Sequence, residues 1–265
     1  MNFLIVDTCY FNFYRFYATS MWYKRAYPDE TFDNDYNWSE NTVFWEKFKK
    51  MFLSTLQKFI KTLNIDRVIF ARDCKRCDIW RMSFFKDYKS NRDYTNFQGG
   101  SIFKKCDTDI ISELVDNKTY YQIKIPQLEA DDIIYLTTKY IDEKFPGSKI
   151  NIVSSDHDLL QLIKDNVTLY NATLKSYNDK SLGSKNLDVF IKCITGDQSD
   201  CIPKVFNKVG PKTAIKLYNN IDDLLDKFRS DKTSFDRYCL NYLLVSFDNI
   251  PQEFIKYYKE NVNID

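Results

Sequence analysis

Two short apolar runs, each closed by an acid, limit most strongly what this chain can become. Asn2-Phe-Leu-Ile-Val-Asp7 and Arg67-Val-Ile-Phe-Ala-Arg-Asp73 show no polar alternation across their centres. That is the pattern of strands buried on both faces, and such strands belong to parallel sheets. A parallel pair needs a long crossover, usually a helix. The residues between the runs supply one, since Phe44, Phe48, Met51, Phe52, Leu56, Phe59, Ile60 and Leu63 keep helical spacing over residues 39–63, with Ser39 placed as N-cap.

The alternation continues. Residues 119–125, 149–155 and 167–171 read as further strands. Residues 13–18, 107–116, the run after Leu128 (Ile133, Ile134, Leu136, Tyr140, Ile141) and Leu159, Leu160, Leu162, Ile163 read as helices. The predicted class is α/β, a parallel central sheet with helices on both faces. Beyond about residue 184 the strand signal fades. Residues 187–194, 209–218 and most of the remainder to Tyr258 read as amphipathic helix, which divides the chain into 1–185 and a helical unit at 186–265. Residues 26–37, polar, acidic and Tyr-rich, read as a surface loop or insertion whose function is not legible.

In open α/β sheets ligands bind beyond the carboxyl ends of the strands. Asp7, Asp73, Asp156 and Asp158 stand there, together with the helix start that carries Glu129, Asp131 and Asp132. Acids at a helix N-terminus are ordinary in themselves, because they meet its partial positive charge. Their convergence with the strand-end acids gives them chemical meaning. Carboxylates without thiolates or imidazoles suit hard divalent cations, Mg2+ or Mn2+. Without a metal they would repel one another, and some would hold protons. Two such ions about 4 Å apart can clamp the attacking and leaving oxygens of a phosphodiester.

Net charge gives no support for a nucleic-acid partner, with Lys plus Arg at 38 against 37 acids. Distribution does. Residues 75–105 hold Lys75, Arg76, Arg81, Lys86, Lys89, Arg92, Lys104 and Lys105, interleaved with Trp80, Phe84, Phe85, Tyr88, Tyr94 and Phe97. A helix to about residue 91 followed by a mobile loop around Gly99-Gly100 is expected. Cations and rings in alternation suit a single-stranded backbone, although a solvated amphipathic helix has the same pattern. Cys74 and Cys77 lack the partners a zinc site needs, since His157 is the only histidine and the other cysteines form no second pair. With no signal peptide or long apolar span, an intracellular protein with reduced thiols is expected, in the cytoplasm or nucleus of its host.

Several motifs recur in a fixed order: Asp7; Asp73; Trp80-Arg81 followed by Tyr88-Lys89 and Arg92; Glu129-Ala130-Asp131-Asp132; Ser155-Asp156-His157-Asp158-Leu159; Gly196-Asp197-Gln198-Ser199-Asp200-Cys201-Ile202-Pro203; and Val209-Gly210-Pro211-Lys212-Thr213-Ala214. In these the chain resembles, over nearly its whole length, the flap endonuclease or 5'-3' exonuclease family, particularly its phage enzymes and the 5'-nuclease domain of bacterial DNA polymerase I. The resemblance implies a PIN-like nuclease domain at 1–185 and a helix-hairpin-helix-like DNA-binding module at 186–265. It also implies two Mg2+ or Mn2+ ions, the first on Asp7, Asp73, Glu129 and Asp131 and the second among Asp131, Asp156, Asp158 and Asp197. Asp132 and Asp200 would contribute through water or from behind those ligands.

By the same resemblance, Lys89 and Arg92 would steady the scissile phosphate, and Tyr88 would stack on the neighbouring nucleotide. Residues 75–105, with Arg81, Lys86, Lys104 and Lys105, would form an arch for a 5' single strand. Lys204, Lys208, Gly210, Lys212 and Thr213 would hold duplex backbone. The implied activity is a monomeric, metal-dependent 5' nuclease acting on flaps, nicks or 5' ends of duplex DNA, with RNA primers or RNA–DNA hybrids as a further substrate and no membrane partner.

Three departures qualify the match. His157 replaces a common Lys and reads as an exposed loop residue. Residues 204–208 are one longer than the bacterial pattern and lack its two glycines, which argues against the K+ site that some relatives build there. Gln252, Ile255, Tyr257 and Tyr258 resemble a sliding-clamp peptide with its aromatics one position early, so core packing is expected. The compact length and the composition fit a phage or large DNA virus. Two other readings share parts of the pattern: a non-catalytic DNA-structure-binding protein, disfavoured by retention of every acidic motif, and a PIN-type single-strand ribonuclease, disfavoured by the basic arch and the C-terminal module.

Overall fold

In the computed structural model, which describes residues 1–33 and 35–264, five parallel strands form one sheet. They are β1 (Asn2–Asp7), β2 (Arg67–Arg72), β3 (Tyr120–Lys124), β4 (Lys149–Val153) and β5 (Val167–Tyr170), in the order β3-β2-β1-β4-β5. The chain builds outward from β1 to β3, then returns to the other side of β1 as β4. The carboxyl ends of β1 and β4 therefore flank the point where strand order reverses, which is where a crevice opens in such sheets.

Alternate residues of each central strand feed two cores. Phe3, Ile5, Ile69, Ile123 and Ile152 pack on one face against α5 (Ala130–Lys144). Leu4, Val6, Val68 and Phe70 pack on the other against α1 (Thr8–Ala26), α2 (Thr42–Leu63) and α3 (Gly100–Cys106). A π turn, Asp107–Ile111, joins α3 to α4 (Ser112–Val115). The helical unit comprises α6 (Lys185–Thr195), α7 (Pro211–Asn219), α8 (Ile221–Ser230) and α9 (Lys232–Val245), closed over Phe190, Ile191, Ile194, Val205, Phe206, Leu217 and Leu224.

Local chemistry moves several expected boundaries. Asp7 both ends β1 and caps α1, accepting from the Tyr10 N–H at 3.0 Å, so that helix starts at Thr8 rather than near residue 13. Asn41, not Ser39, caps α2, through a 2.8 Å bond from the Phe44 N–H, while the Ser39 hydroxyl turns to Asn37. The segment expected as a surface loop at 26–37 is irregular and mostly exposed, anchored by Phe32 in a stack against buried Trp38, their centroids 5.0 Å apart. Asn34, within that span, lies outside the described residues.

No α-helix runs through residue 91. Residues 76–83 form two 3-10 turns, Arg76–Asp78 and Trp80–Ser83, and the Arg76 guanidinium donates to the carbonyls of Lys89 and Arg92. The reason is packing: Ile79 and Tyr88 reach out of the segment into a cluster with Val189, Cys193, Ile202, Leu244 and Val245 of the helical unit. Residues 157–162 are likewise 3-10 rather than α. Past α9, the last helix, α10 (Gln252–Asn261), returns to the sheet: Phe254 and Tyr258 join the α5 core, and the Tyr258 hydroxyl lies 2.8 Å from Thr137 Oγ1. Residues 247–264, expected in the 186–265 unit, thus pack with the sheet. No helix among the described residues is long and apolar enough to cross a membrane.

Candidate metal centre

The acids meet where strand ends and one helix start converge. Asp7 accepts from Ser154 Oγ at 2.8 Å, a bond that ties the end of β1 to the end of β4. Asp73, just past β2, accepts the Ala130 N–H at 3.0 Å and so satisfies one of the free donors at the start of α5. Asp131 projects from that first turn into two carboxylate groups at once. It lies with Glu129 and Asp132 in one and with Asp156 and Asp158 in the other, the candidate ligand oxygens of each group falling within 4.8 Å of one another.

Cations from the basic segment cover part of this cluster. Arg81 is 1% exposed, and its guanidinium donates to Asp132 Oδ1 at 2.7 Å, to Asp132 Oδ2 and Glu129 Oε2 at 2.9 Å each, and through Nε to the Leu244 carbonyl at 2.8 Å. The Lys89 ammonium pairs with Glu129 Oε1. Arg92 pairs with Asp200 at 2.6 Å, and the Tyr88 hydroxyl lies 3.1 Å from Glu129 Oε2 and 3.4 Å from Asp200 Oδ2. On the other flank Lys192 of α6 pairs with Asp158 and, at 2.8 Å, with Asp197.

The protonation pattern follows this division. Burial, then Asp73 and Asp156, pushes Asp7 up to about 7. Burial also takes Asp158 to about 7, with Lys192 opposing and Asp156 adding to the rise. Asp131 lies well above the usual carboxylate range through burial and its neighbours Glu129 and Asp132. Asp73, although its outer edge is exposed, is raised chiefly by desolvation within the cleft. Glu129 and Asp197 go the other way: burial opposes ionisation in both, but Lys89 and Arg81 hold Glu129 below its ordinary value, and Lys192 with Ser199 brings Asp197 to about 2.

Acids that are protonated near neutrality must release protons to take up a cation. Because the Asp7 and Asp158 values are raised to about 7, the protonated forms dominate below that pH. Apparent Mn2+ affinity is therefore expected to fall by at least about tenfold between pH 8 and pH 6. Calorimetry at the two pH values would measure it, with proton release read from buffers of different ionisation heat; a pH-independent affinity would contradict the assignment.

Asp132, expected to contribute through water or from behind the ligands, is fully buried, with both oxygens on Arg81, which also holds Glu129, and one oxygen 3.0 Å from Trp80 Nε1. Asp200, given the same role, is buried against Arg92 and Tyr88. Arg81, expected on a DNA-binding surface, cannot reach one, and Tyr88, expected to stack on a nucleotide, is 3% exposed and holds Glu129 instead. Lys105, expected in the arch, donates to the Ser39 carbonyl at 3.1 Å and lies over the Trp45 ring. For Arg81 and Tyr88 the cause is that residues 76–92 fold across the acids rather than away from them; Lys105 is held instead by the start of α2.

Other expected contacts stay available. Lys86, Lys104, Lys204, Lys208, Lys212 and Thr213 are exposed, and Gly210 caps α7. His157 is exposed beside Lys180 and Tyr177. The turn that presents Asp197 depends on Gly196, whose φ is 68° and where a Cβ would stand 2.5 Å from the Ile202 carbonyl oxygen. Lys192 and Ser154 were missed by the sequence reading. Lys192 sits in the last turn of an amphipathic helix, where a basic residue is ordinary, and only its spacing before Asp197 hinted at more.

Comparison with known proteins agrees with this fold. The sequence model of the 5'-3' exonuclease N-terminal resolvase-like domain matches residues 2–187. The ribonuclease H of Enterobacteria phage T4 is 27% identical over 212 residues, spanning 73% of this chain and 68% of that protein. A 5'-3' exonuclease of Buchnera aphidicola subsp. Schizaphis graminum is 31% identical over 206 residues, 69% of this chain and 67% of that one. Among solved structures, the T5 5'-exonuclease with bound divalent zinc ions superposes with a TM-score of 0.69 at 19% identity, over 98% of both chains. The bacteriophage T5 flap endonuclease in a complex with DNA and metal ions gives 0.67 at 18% identity, over 98% of this chain and 97% of that one. The fold is shared.

Proposed function

Because the chain belongs to the 5'-3' exonuclease family, whose N-terminal domain accounts for residues 2–187, we propose that it is a divalent-metal-dependent 5' nuclease that hydrolyses phosphodiesters at 5' flaps, nicks and 5' ends of duplex DNA during replication or repair. The observation that carries this reading is the membership of Asp131 in two carboxylate groups at the carboxyl end of the sheet. Asp131, Asp156 and Asp158, with Asp197 beside them, would hold one ion; Asp131, Asp7, Asp73 and Glu129 would hold the other. The donor set is all oxygen, which suits Mg2+ or Mn2+. When bound, such ions stabilise charge on the phosphate oxygens and make a water nucleophilic at neutral pH.

The chain's own residues supply position and charge. Lys89 and Arg92, which pair with Glu129 and Asp200, would meet the developing charge of the scissile phosphate. Exposed Lys75, Lys86 and Lys104, and Lys204, Lys208, Lys212 with the first N–H groups of α7, would supply phosphate contacts. Contacts of this kind read backbone and not bases. Recognition is accordingly of DNA structure by a monomer. The name of the T4 relative, ribonuclease H, extends the proposal to RNA paired with DNA.

A labelled 5'-flap duplex incubated with Mg2+ should be cut near the junction, and no turnover of flap, nicked or blunt substrates with Mg2+ or Mn2+ would refute the proposal. Lys89→Ala is expected to lower single-turnover cleavage by about a hundredfold while flap binding weakens only a few-fold. Equal losses in both would make Lys89 a plain phosphate contact.

A further inference from the structure

One cation at the acid cluster has no part in the reading above. Lys192, in the last turn of α6, keeps only 20% of its side chain exposed and places its ammonium between Asp158 and Asp197. Among the described residues neither acid has another cation within ion-pair distance. Asp158 in turn shares a 4.8 Å cluster of candidate ligand oxygens with Asp131 and Asp156. Three carboxylates in so small a space, with Asp197 across the same ammonium, repel one another strongly unless a cation lies among them.

The first group is arranged differently. There Glu129 is held by Arg81, Lys89 and Tyr88 together, so the loss of one partner leaves two. In the second group a single flexible ammonium stands on oxygens that a divalent ion would need. Helix α6 also leads, through the Gly196 turn, to Asp197 itself. One segment thus delivers both an acid and the cation that occupies it.

We propose that Lys192 is the resident counter-cation of the second carboxylate group: it holds Asp158 and Asp197 in place before an ion binds, competes with that ion for their oxygens, and so keeps the second site weak. A substrate phosphate beside the group adds negative charge and tips this competition toward the divalent ion. Loading of the second site is thereby linked to the arrival of substrate. The inference rests on the metal-dependent nuclease reading, and it assigns Lys192 a positioning and gating part rather than a catalytic one.

The test is a Mn2+ titration of the whole protein without DNA, followed by calorimetry or by the electron paramagnetic resonance of free Mn2+. In Lys192→Met the weaker of two sites should tighten by about tenfold, equivalent to about 1.4 kcal/mol, with the tighter site unchanged. Lys192→Gln should do the same, and Lys192→Arg, which keeps the charge, should leave the second site at least as weak as in the wild type. A second readout does not depend on occupancy: metal-free Lys192→Met should melt below the wild type, and saturating Mn2+ should remove the deficit. Second-site affinity that stays the same or weakens in both neutral variants, or a melting deficit that persists unchanged with Mn2+, would overturn the proposal and make Lys192 a structural strut. Those results would leave the nuclease reading standing, whereas a wild-type protein that takes up no divalent ion would overturn both.

Discussion

Asp131→Asn is expected to reduce flap cleavage by at least about a thousandfold while flap binding survives. Asp131 is the one acid common to both carboxylate groups, so its loss weakens two ion sites together. The substitution keeps the shape of the side chain and removes only its charge. In the metal-free protein the cost to folding should be small, because burial and the neighbouring Glu129 and Asp132 already favour the protonated, neutral form of Asp131. Binding should even improve slightly, since one negative charge facing the phosphate backbone disappears. Asp156→Asn, at an exposed member of one group only, should also abolish detectable steady-state cleavage, but should leave uptake of one Mn2+ intact. Single-turnover cleavage, filter binding and Mn2+ stoichiometry on the two variants check this. Undiminished cleavage by both would remove the site from consideration.

Arg81→Met should be among the most damaging single changes to the folded state. The guanidinium bridges Asp132, Glu129 and the Leu244 carbonyl and lies 4.6 Å from the Trp80 ring. Its removal leaves Asp132, which is 0% exposed, with no counter-ion. Breaking a buried pair from one side typically costs about 3–5 kcal/mol, a large part of the stability of a single domain. Arg81→Lys should recover little, because a point charge cannot span two carboxylates and a carbonyl. Adding Asp132→Asn to Arg81→Met should return more than half of the loss, since the uncompensated charge is gone. Urea unfolding of the four proteins measures these differences. A midpoint for Arg81→Met that implies less than about 1 kcal/mol would show that the bridge is weak.

Much of the site could be read from the chain because parallel-sheet geometry is strict. Strands that end in Asp7, Asp73 and the residues before Asp156 must point their carboxyl ends the same way, and the helix start at Glu129 falls beside them. What could not be read was which acids remain open. Asp132 and Asp200 look like ligands by spacing, yet their oxygens face Arg81, Tyr88 and Arg92, which arrive from a segment with no regular periodicity. A buried arginine and a surface arginine are the same letter until the fold places them. Helix α10 gave a similar lesson: the spacing of Phe254 and Tyr258 announces a buried face, but no local signal says that the face covers the sheet and not the neighbouring helices.

The return of α10 to the α5 core changes the kind of molecule this is. Helices α6 to α9 are an insertion between two parts of the sheet domain, entered after β5 and left before α10, not a bead at the end of a string. An inserted body cannot swing on a single tether, because two covalent crossings and the shared cluster around Tyr88 and Leu244 restrain it. Any backbone held on that body would be presented to Asp131 and its neighbours at a distance set by the fold, a physical route by which the shape of a substrate, and not its sequence, would decide where it is cut.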